Sequence, residues 1–315
     1  FLLFTSFAFS VNNKMNKLLI VGTVAFDSIE TPNDSVEKIL GGAATHISIS
    51  ASLFNINSAI ISIVGGDFPA EYFEIFKKRN IDISSLKIEK NGKTFFWIGK
   101  YAKNMNQRDT LKTEVNVLAN FDPIVPEKYR SPNVIVLGNL DPIIQLKVME
   151  QIIKPPTITI LDTMNFWMDN TMENLKKIIS QVDLICINDE EVKQLTGLDS
   201  LIEGGKKILN MGPNFIIVKK GEYGSMLIDK SNSFECPAFP VKKVKDPTGA
   251  GDSFAGGLAG YLTKVNSSSF DEIKNAIIYA TATASFSVEE FGINGIDKIN
   301  YNDILNRVDF INKLL

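Results

Sequence analysis

Short runs of branched apolar residues alternate along the chain with segments whose apolar positions fall at helical spacing. KLLIVG (17–22), AIISIVG (59–65), NVIVLGN (133–139), TITILD (157–162), DLICIN (183–188) and FIIVKKG (215–221) are apolar almost throughout, as strands are when both faces of a parallel sheet are covered. Helices are predicted over 43–54, 69–79, 142–152, 171–181, 189–196 and 200–210. This alternation predicts right-handed crossovers and an α/β fold with a doubly wound, mostly parallel sheet. Ligands of such sheets gather at the carboxyl ends of the strands.

One region breaks the rhythm. Residues 92–120 read as two extended segments around a polar turn at Lys103 to Asp109, and with residues 23–40 they form either a small β-lid beside the main sheet or an ordinary edge hairpin. After Asp252 the pattern is helical, with amphipathic stretches at 270–290 and 301–314. No internal repeat or low-complexity linker interrupts the chain, so residues 15–315 are expected to form one domain.

Composition narrows the function classes. The formal charge is −3 and no long basic run exists, which argues against nucleic acid or an anionic membrane surface as partner. Cys186 and Cys236 are far apart and outside any Cys/His cluster, so neither a disulfide framework nor a zinc site is expected, and a reducing cytoplasm fits. Residues 1–9 are apolar but lack a basic leading region and a cleavage site, and are too short to span a bilayer. Because Met15 directly precedes the first strand pattern, it is read as the natural start, with residues 1–14 an upstream extension.

The candidate chemistry lies in DPTGAGDSFAGG, Asp246 to Gly257. Its apolar pattern turns helical from Phe254, which places Gly249, Ala250 and Gly251 in the turn entering the helix. There the unpaired N–H groups and the helix dipole make an anion hole, and small residues let a phosphoryl group approach the backbone. Gly256, Gly257 and Gly260 fall inside the helix, where close packing against the sheet is the expected reason. Neither GxxxxGK[ST] nor GxGxxG fits the stretch. Asp252 reads either as a first-turn acid of the helix or as a base facing a hydroxyl that attacks phosphorus.

These residues resemble the ribokinase/PfkB carbohydrate kinase family. DPTGAGD is similar to the family's second signature, D-T-x-G-A-G-D, with Pro247 in place of the usual threonine. GGAATHISISASLF (Gly41 to Phe54) resembles the first signature, NDEE (Asn188 to Glu191) the N-x-x-E motif, and KKGEYGS (Lys219 to Ser225) the K-x-G-x-x-G turn. The four motifs stand in the family's order.

The resemblance implies a ribokinase-like fold and a role for each matching position. Asp252 would take the proton of the acceptor hydroxyl, while Gly249, Ala250 and Gly251 hold the transferring phosphate. Asn188 and Glu191 would organise Mg²⁺ and the nucleotide phosphates, Glu191 through water, although the pair also reads as a capping box. Asp27, Gly41 and Gly42 would bind the acceptor. Lys220 and Gly221 would lie near the nucleotide, and Asp246 would be a candidate ligand of a monovalent cation such as K⁺, or a shaper of the turn.

Departures limit the transfer. LDTMNFW keeps Asp162 and Asn165 of the family's D-x-N-x-R, but Trp167 stands where the arginine would be, and VEEFGINGI (288–296) departs from the usual cation loop. His46, the one histidine, is read as packing rather than catalytic. Arg108 and Lys112 read as solvated charges. Phe95, Phe96 and Trp97 could supply an aromatic platform for a nucleoside, or belong to the core.

The expected activity is ATP-dependent phosphorylation of a primary hydroxyl of a sugar or nucleoside, with Mg²⁺. The rivals are a catalytically silent regulator of the same fold and, on the glycine signature's position disfavoured, an NAD-dependent oxidoreductase. A homodimer paired through the lid is a further expectation from the resemblance.

Overall fold

The computed structural model describes residues 16–105 and 107–315, so the reading of residues 1–14 and of Met15 lies outside the described residues. In chain order the first strand β1 (Lys17–Val21) leads to β2 (Ala25–Glu30) and β3 (Ser35–Gly41), then to helix α1 (Ala43–Ser52) and strand β4 (Asn57–Gly65). Helix α2 (Ala70–Lys78), two short strands β5 (Ile81–Asp82) and β6 (Leu86–Glu89), and the hairpin β7 (Phe96–Tyr101) and β8 (Arg108–Glu114) follow.

The alternation then resumes with β9 (Val134–Leu137), α3 (Pro142–Met149), β10 (Ile158–Leu161), α4 (Asn165–Asn170), α5 (Met172–Ile179), β11 (Leu184–Asn188), α6 (Asp189–Thr196), α7 (Leu201–Leu209) and β12 (Phe215–Lys219). A hairpin of β13 (Ser225–Ile228) and β14 (Ser233–Cys236) precedes the closing helices α8 (Ala250–Val265), α9 (Phe270–Ser287), α10 (Asn294–Asp297) and α11 (Tyr301–Asn312).

The main sheet runs β14-β13-β12-β11-β10-β9-β1-β4-β5, with β6 also on β4. The six strands expected from their apolar runs are its parallel centre, and only β13 and β14 pair antiparallel. Alternate residues of each strand serve opposite faces. Leu18, Ile20, Val134, Val136 and Ile217 pack with α1, α8 and α9. Leu19, Val21, Ile135, Leu137 and Ile216 pack with α3, α5 and α7. Both faces are therefore dry, which explains the unbroken apolar runs.

Helix α8 is held closely between α1 and α9, and here the structure corrects an expectation. A β-carbon on Gly256 would lie 2.4 Å from the Ile47 carbonyl oxygen, one on Gly257 3.0 Å from Ala280 Cα, and one on Gly260 2.5 Å from the Phe54 ring. These glycines admit neighbouring helices, not the sheet.

The second sheet has four strands in the order β3-β2-β7-β8, with a parallel pair β2/β7 flanked by antiparallel pairs. In register, Asp27 stands opposite Trp97 and Ile29 opposite Gly99, so Asp27, Ile29, Trp97 and Tyr101 share one face. That face packs on Phe291 and, through a 3.0 Å hydrogen bond between the Tyr101 hydroxyl and Thr248 Oγ1, on the turn leading into α8. The four strands thus lie over the glycine signature as a lid. No helix among the described residues is long and apolar enough to cross a membrane.

Candidate active site

The carboxyl ends of the central strands place Asp162 just after β10, Asn188 at the end of β11 and Lys219 at the end of β12, all beside the N-terminus of α8. Gly249 caps that helix in the left-handed region, φ 74°, a conformation that favours glycine. No side chain caps it; the Ala250 N–H donates to the Pro247 carbonyl at 3.2 Å and the Ser253 N–H to the Gly249 carbonyl at 2.8 Å, which leaves the N–H groups of Gly251 and Asp252 to face an anion.

His46 packs beneath this turn: a β-carbon on Gly249 would lie 2.5 Å from the ring. The imidazole is buried, its Nδ1 has no hydrogen-bond partner, and burial pushes its pKa down to about 4. It is therefore neutral at ordinary pH.

Asp252 lies in the first turn of α8 with Oδ1 buried and unpartnered. Burial above all, with Asp162 and Asp27 adding to it, raises its pKa well above the usual carboxylate range, while Lys219 and Arg108 oppose the rise. A buried carboxylate with a free oxygen and a raised pKa, beside an anion-attracting helix end, has the properties of a general base.

Asp27 projects from β2 on the lid side. Burial pushes its pKa up to about 7 against the Gly42 N–H that donates to it, and Asp246 adds to the rise. Gly41 is required by closeness, because a β-carbon there would lie 1.9 Å from Asp27 Oδ2. Gly42 is required by conformation as well, at φ 92°, with the Thr23 carbonyl 2.5 Å from where a β-carbon would stand.

Asn188 and Glu191 form a complete capping box on α6. The Asn188 N–H donates to Glu191 Oε2 and the Glu191 N–H to Asn188 Oδ1, each at 2.8 Å. Burial raises the Glu191 pKa, Lys219 opposes it and Asp162 adds to it. One Glu191 oxygen is thus committed to the backbone. Among the described residues no three His, Cys, Asp or Glu side chains gather to hold a metal. This donor set fits Mg²⁺ that takes most of its ligands from water and phosphate oxygens.

The structure brings Lys219 into the cleft. Its Nζ donates to Asp162 Oδ1 at 3.1 Å, and a β-carbon on Gly251 would lie 3.0 Å from it. The neighbouring Lys220 points elsewhere and pairs with Glu235 at 3.2 Å, while Gly221, φ 55°, faces open space. Asp246 is fully buried, and its two oxygens accept the N–H groups of Thr248 at 2.8 Å and Gly292 at 3.1 Å. It ties the signature turn to the 288–292 loop. Trp167 Nε1 donates to Asn139 Oδ1 at 2.8 Å.

Arg108 is exposed, as its reading as a solvated charge expected, and it also meets the lid face. The Arg108 guanidinium lies 4.9 Å from the centre of the Trp97 ring, and its charge reaches Tyr101, Asp27, Glu191 and Asp252. Strand register, which pairs Arg108 with Tyr101, was the signal that could have turned it toward the cleft.

The chain is 29% identical over 252 residues to the cytidine kinase of Thermococcus kodakarensis, covering 78% of this chain and 89% of the relative. It is 28% identical over 301 residues to the nucleoside kinase of Methanocaldococcus jannaschii, covering 90% and 93%. The crystal structure of a Methanocaldococcus jannaschii nucleoside kinase, described as an archaeal member of the ribokinase family, superposes with a TM-score of 0.76 at 24% identity over 94% of this chain and 99% of that one. Residues 15–298 match the model of the pfkB family carbohydrate kinases. The chain belongs to that family and is an ATP-dependent kinase of a sugar or nucleoside.

Proposed function

We propose that the protein is a nucleoside kinase, with Asp252 as the base and the α8 amides as the phosphoryl seat. The observation that carries this reading is the register pair Asp27 and Trp97 on the cleft-facing side of the lid. A carboxylate beside a half-buried indole matches a ligand with hydroxyls at one end and a flat aromatic base at the other. A free sugar can lay a C–H face on such a ring, but a flat base covers more of it. The relatedness to a cytidine kinase and a nucleoside kinase points the same way.

In this reading Asp27 accepts from ribose hydroxyls and the backbone at Gly41 and Gly42 approaches the sugar. The hydroxyl to be phosphorylated faces Asp252, whose carboxylate takes its proton as the oxygen attacks the γ-phosphorus. The Gly251 N–H then meets the charge that develops on the phosphoryl oxygens, joined by the Ala250 N–H once it leaves the Pro247 carbonyl it donates to in the ligand-free chain. Glu191 would hold Mg²⁺ through water, and the ion would supply charge neutralisation on the nucleotide phosphates. The lid excludes water from the acceptor oxygen's competitor position, which limits futile ATP hydrolysis.

The test is ATP turnover with Mg²⁺ across ribonucleosides, ribose and hexoses. A nucleoside is expected to give the highest kcat/KM, and Trp97→Ala is expected to lower it about 10-fold or more through KM. Preference for a free sugar, with no effect of Trp97→Ala, overturns the nucleoside assignment.

A further inference from the structure

Lys219 ends β12 beside Asn188 of β11, and its ammonium stands against Gly251, 3.0 Å from where a β-carbon there would lie. It pairs with Asp162 at 3.1 Å, with its side chain 16% exposed, and lies within the electrostatic reach of Glu191 and Asp252. Burial works against its charge, but Asp162 and the other acidic groups hold its pKa above the ordinary lysine value. The ammonium has three N–H donors, and Asp162 takes one.

Three carboxylates around one ammonium would repel a phosphate group, so the placement of that ammonium decides where an anion can sit. It lies at the anion-attracting end of α8, next to the amides of the phosphoryl seat. We propose that Lys219 is a catalytic residue whose ammonium contacts the transferring γ-phosphoryl oxygens, with Asp162 as the positioning residue that holds it there; this rests on the kinase reading above.

In the step, a bond forms between the acceptor oxygen and the γ-phosphorus while the bond from that phosphorus to the ADP oxygen breaks. ADP leaves with the electron pair, the hydroxyl proton passes to Asp252, and Lys219 keeps its proton throughout. Its charge offsets the negative charge spread over the phosphoryl oxygens.

The experiment uses the full chain with ATP, Mg²⁺ and the accepted nucleoside. Lys219→Met is expected to lower kcat about 100-fold or more with the nucleoside KM unchanged, and to shrink the rate ratio between ATP and its γ-thio analogue. Asp162→Asn is expected to lower kcat less, and to add nothing when combined with Lys219→Met. Because Lys219→Met leaves Asp162 buried without a partner, the double variant, which removes both charges, serves as the folded comparison and is expected to match the kcat of Lys219→Met. A kcat within about 3-fold of wild type in the double variant, or a lowered kcat with an unchanged thio ratio, overturns the proposal. A wild-type protein that turns over no acceptor overturns the kinase reading itself, and with it this role.

Discussion

The imidazole of His46, on α1, supports the left-handed turn of Gly249 at the start of α8: a β-carbon on Gly249 would lie 2.5 Å from three atoms of the ring at nearly one distance, 2.5 to 2.6 Å. The proposed phosphoryl seat is thus braced from below by a neutral ring. Gly249→Ala meets both this ring and the strain of φ 74°, which costs on the order of 1–3 kcal/mol. It is expected to lower kcat by about 100-fold or more and to lower the thermal midpoint. Adding His46→Ala is expected to recover part of the midpoint but little kcat, because the backbone strain remains.

His46 itself is expected to make stability depend on pH. Its pKa is about 4 in the folded chain, below the ordinary value of 6.5, so the unfolded chain binds a proton first as pH falls. Its contribution is complete above pH 6.5 and is lost as pH falls toward 4. Urea midpoints measured across this window are expected to decline less steeply in His46→Gln than in wild type.

Asp252→Asn is expected to cost about 1000-fold or more in kcat while stabilising the ligand-free protein at pH 8. The sign follows from burial: Asp252 ionises at higher pH when folded than when unfolded, so holding it ionised opposes folding as pH rises through that interval. The wild-type rate is expected to fall on the acid side at a pH well above the ordinary carboxylate range. Thermal melts at pH 5 and pH 8, paired with a pH–rate profile, check both statements; an Asn variant less stable at pH 8 would contradict the burial argument.

Gly41→Ala places a β-carbon 1.9 Å from Asp27 Oδ2, so the carboxylate must turn away from the acceptor. An increase of about 10-fold or more in acceptor KM, with ATP KM little changed, is expected from steady-state kinetics. Asp27→Asn is expected to show the same split between the two substrates.

Much of the sheet was readable because fully buried strands leave uninterrupted apolar runs, as Leu18 to Val21 and Ile216 to Val218 do. The antiparallel hairpin of β13 and β14 was missed: its strands are short, and half of β14 is exposed, SFEC carrying no apolar run. Small residues at 256, 257 and 260 announced close packing, but composition does not say whether a helix or a sheet makes the approach. The choice between Lys219 and Lys220 turned on which neighbour points into the cleft, because successive residues of a strand face opposite ways. Only the pairing with Asp162 and Glu235 separates them. The raised pKa of Asp252 depends on burial and on Asp162 and Asp27, residues far away in sequence.

The hydrogen bond from the lid to the signature turn gives the two sheets a shared switch point. Tyr101 Oη and Thr248 Oγ1 meet at 3.0 Å, one residue before Gly249, and the same turn is fastened by Asp246 to the loop that carries Phe291 on the underside of the lid. A lid that lifted to admit an acceptor would have to let go of the turn proposed to receive phosphate. If the lid moves on acceptor entry, that entry is felt at the turn, and a preferred order of substrate binding is the expected outcome, read from product-inhibition patterns.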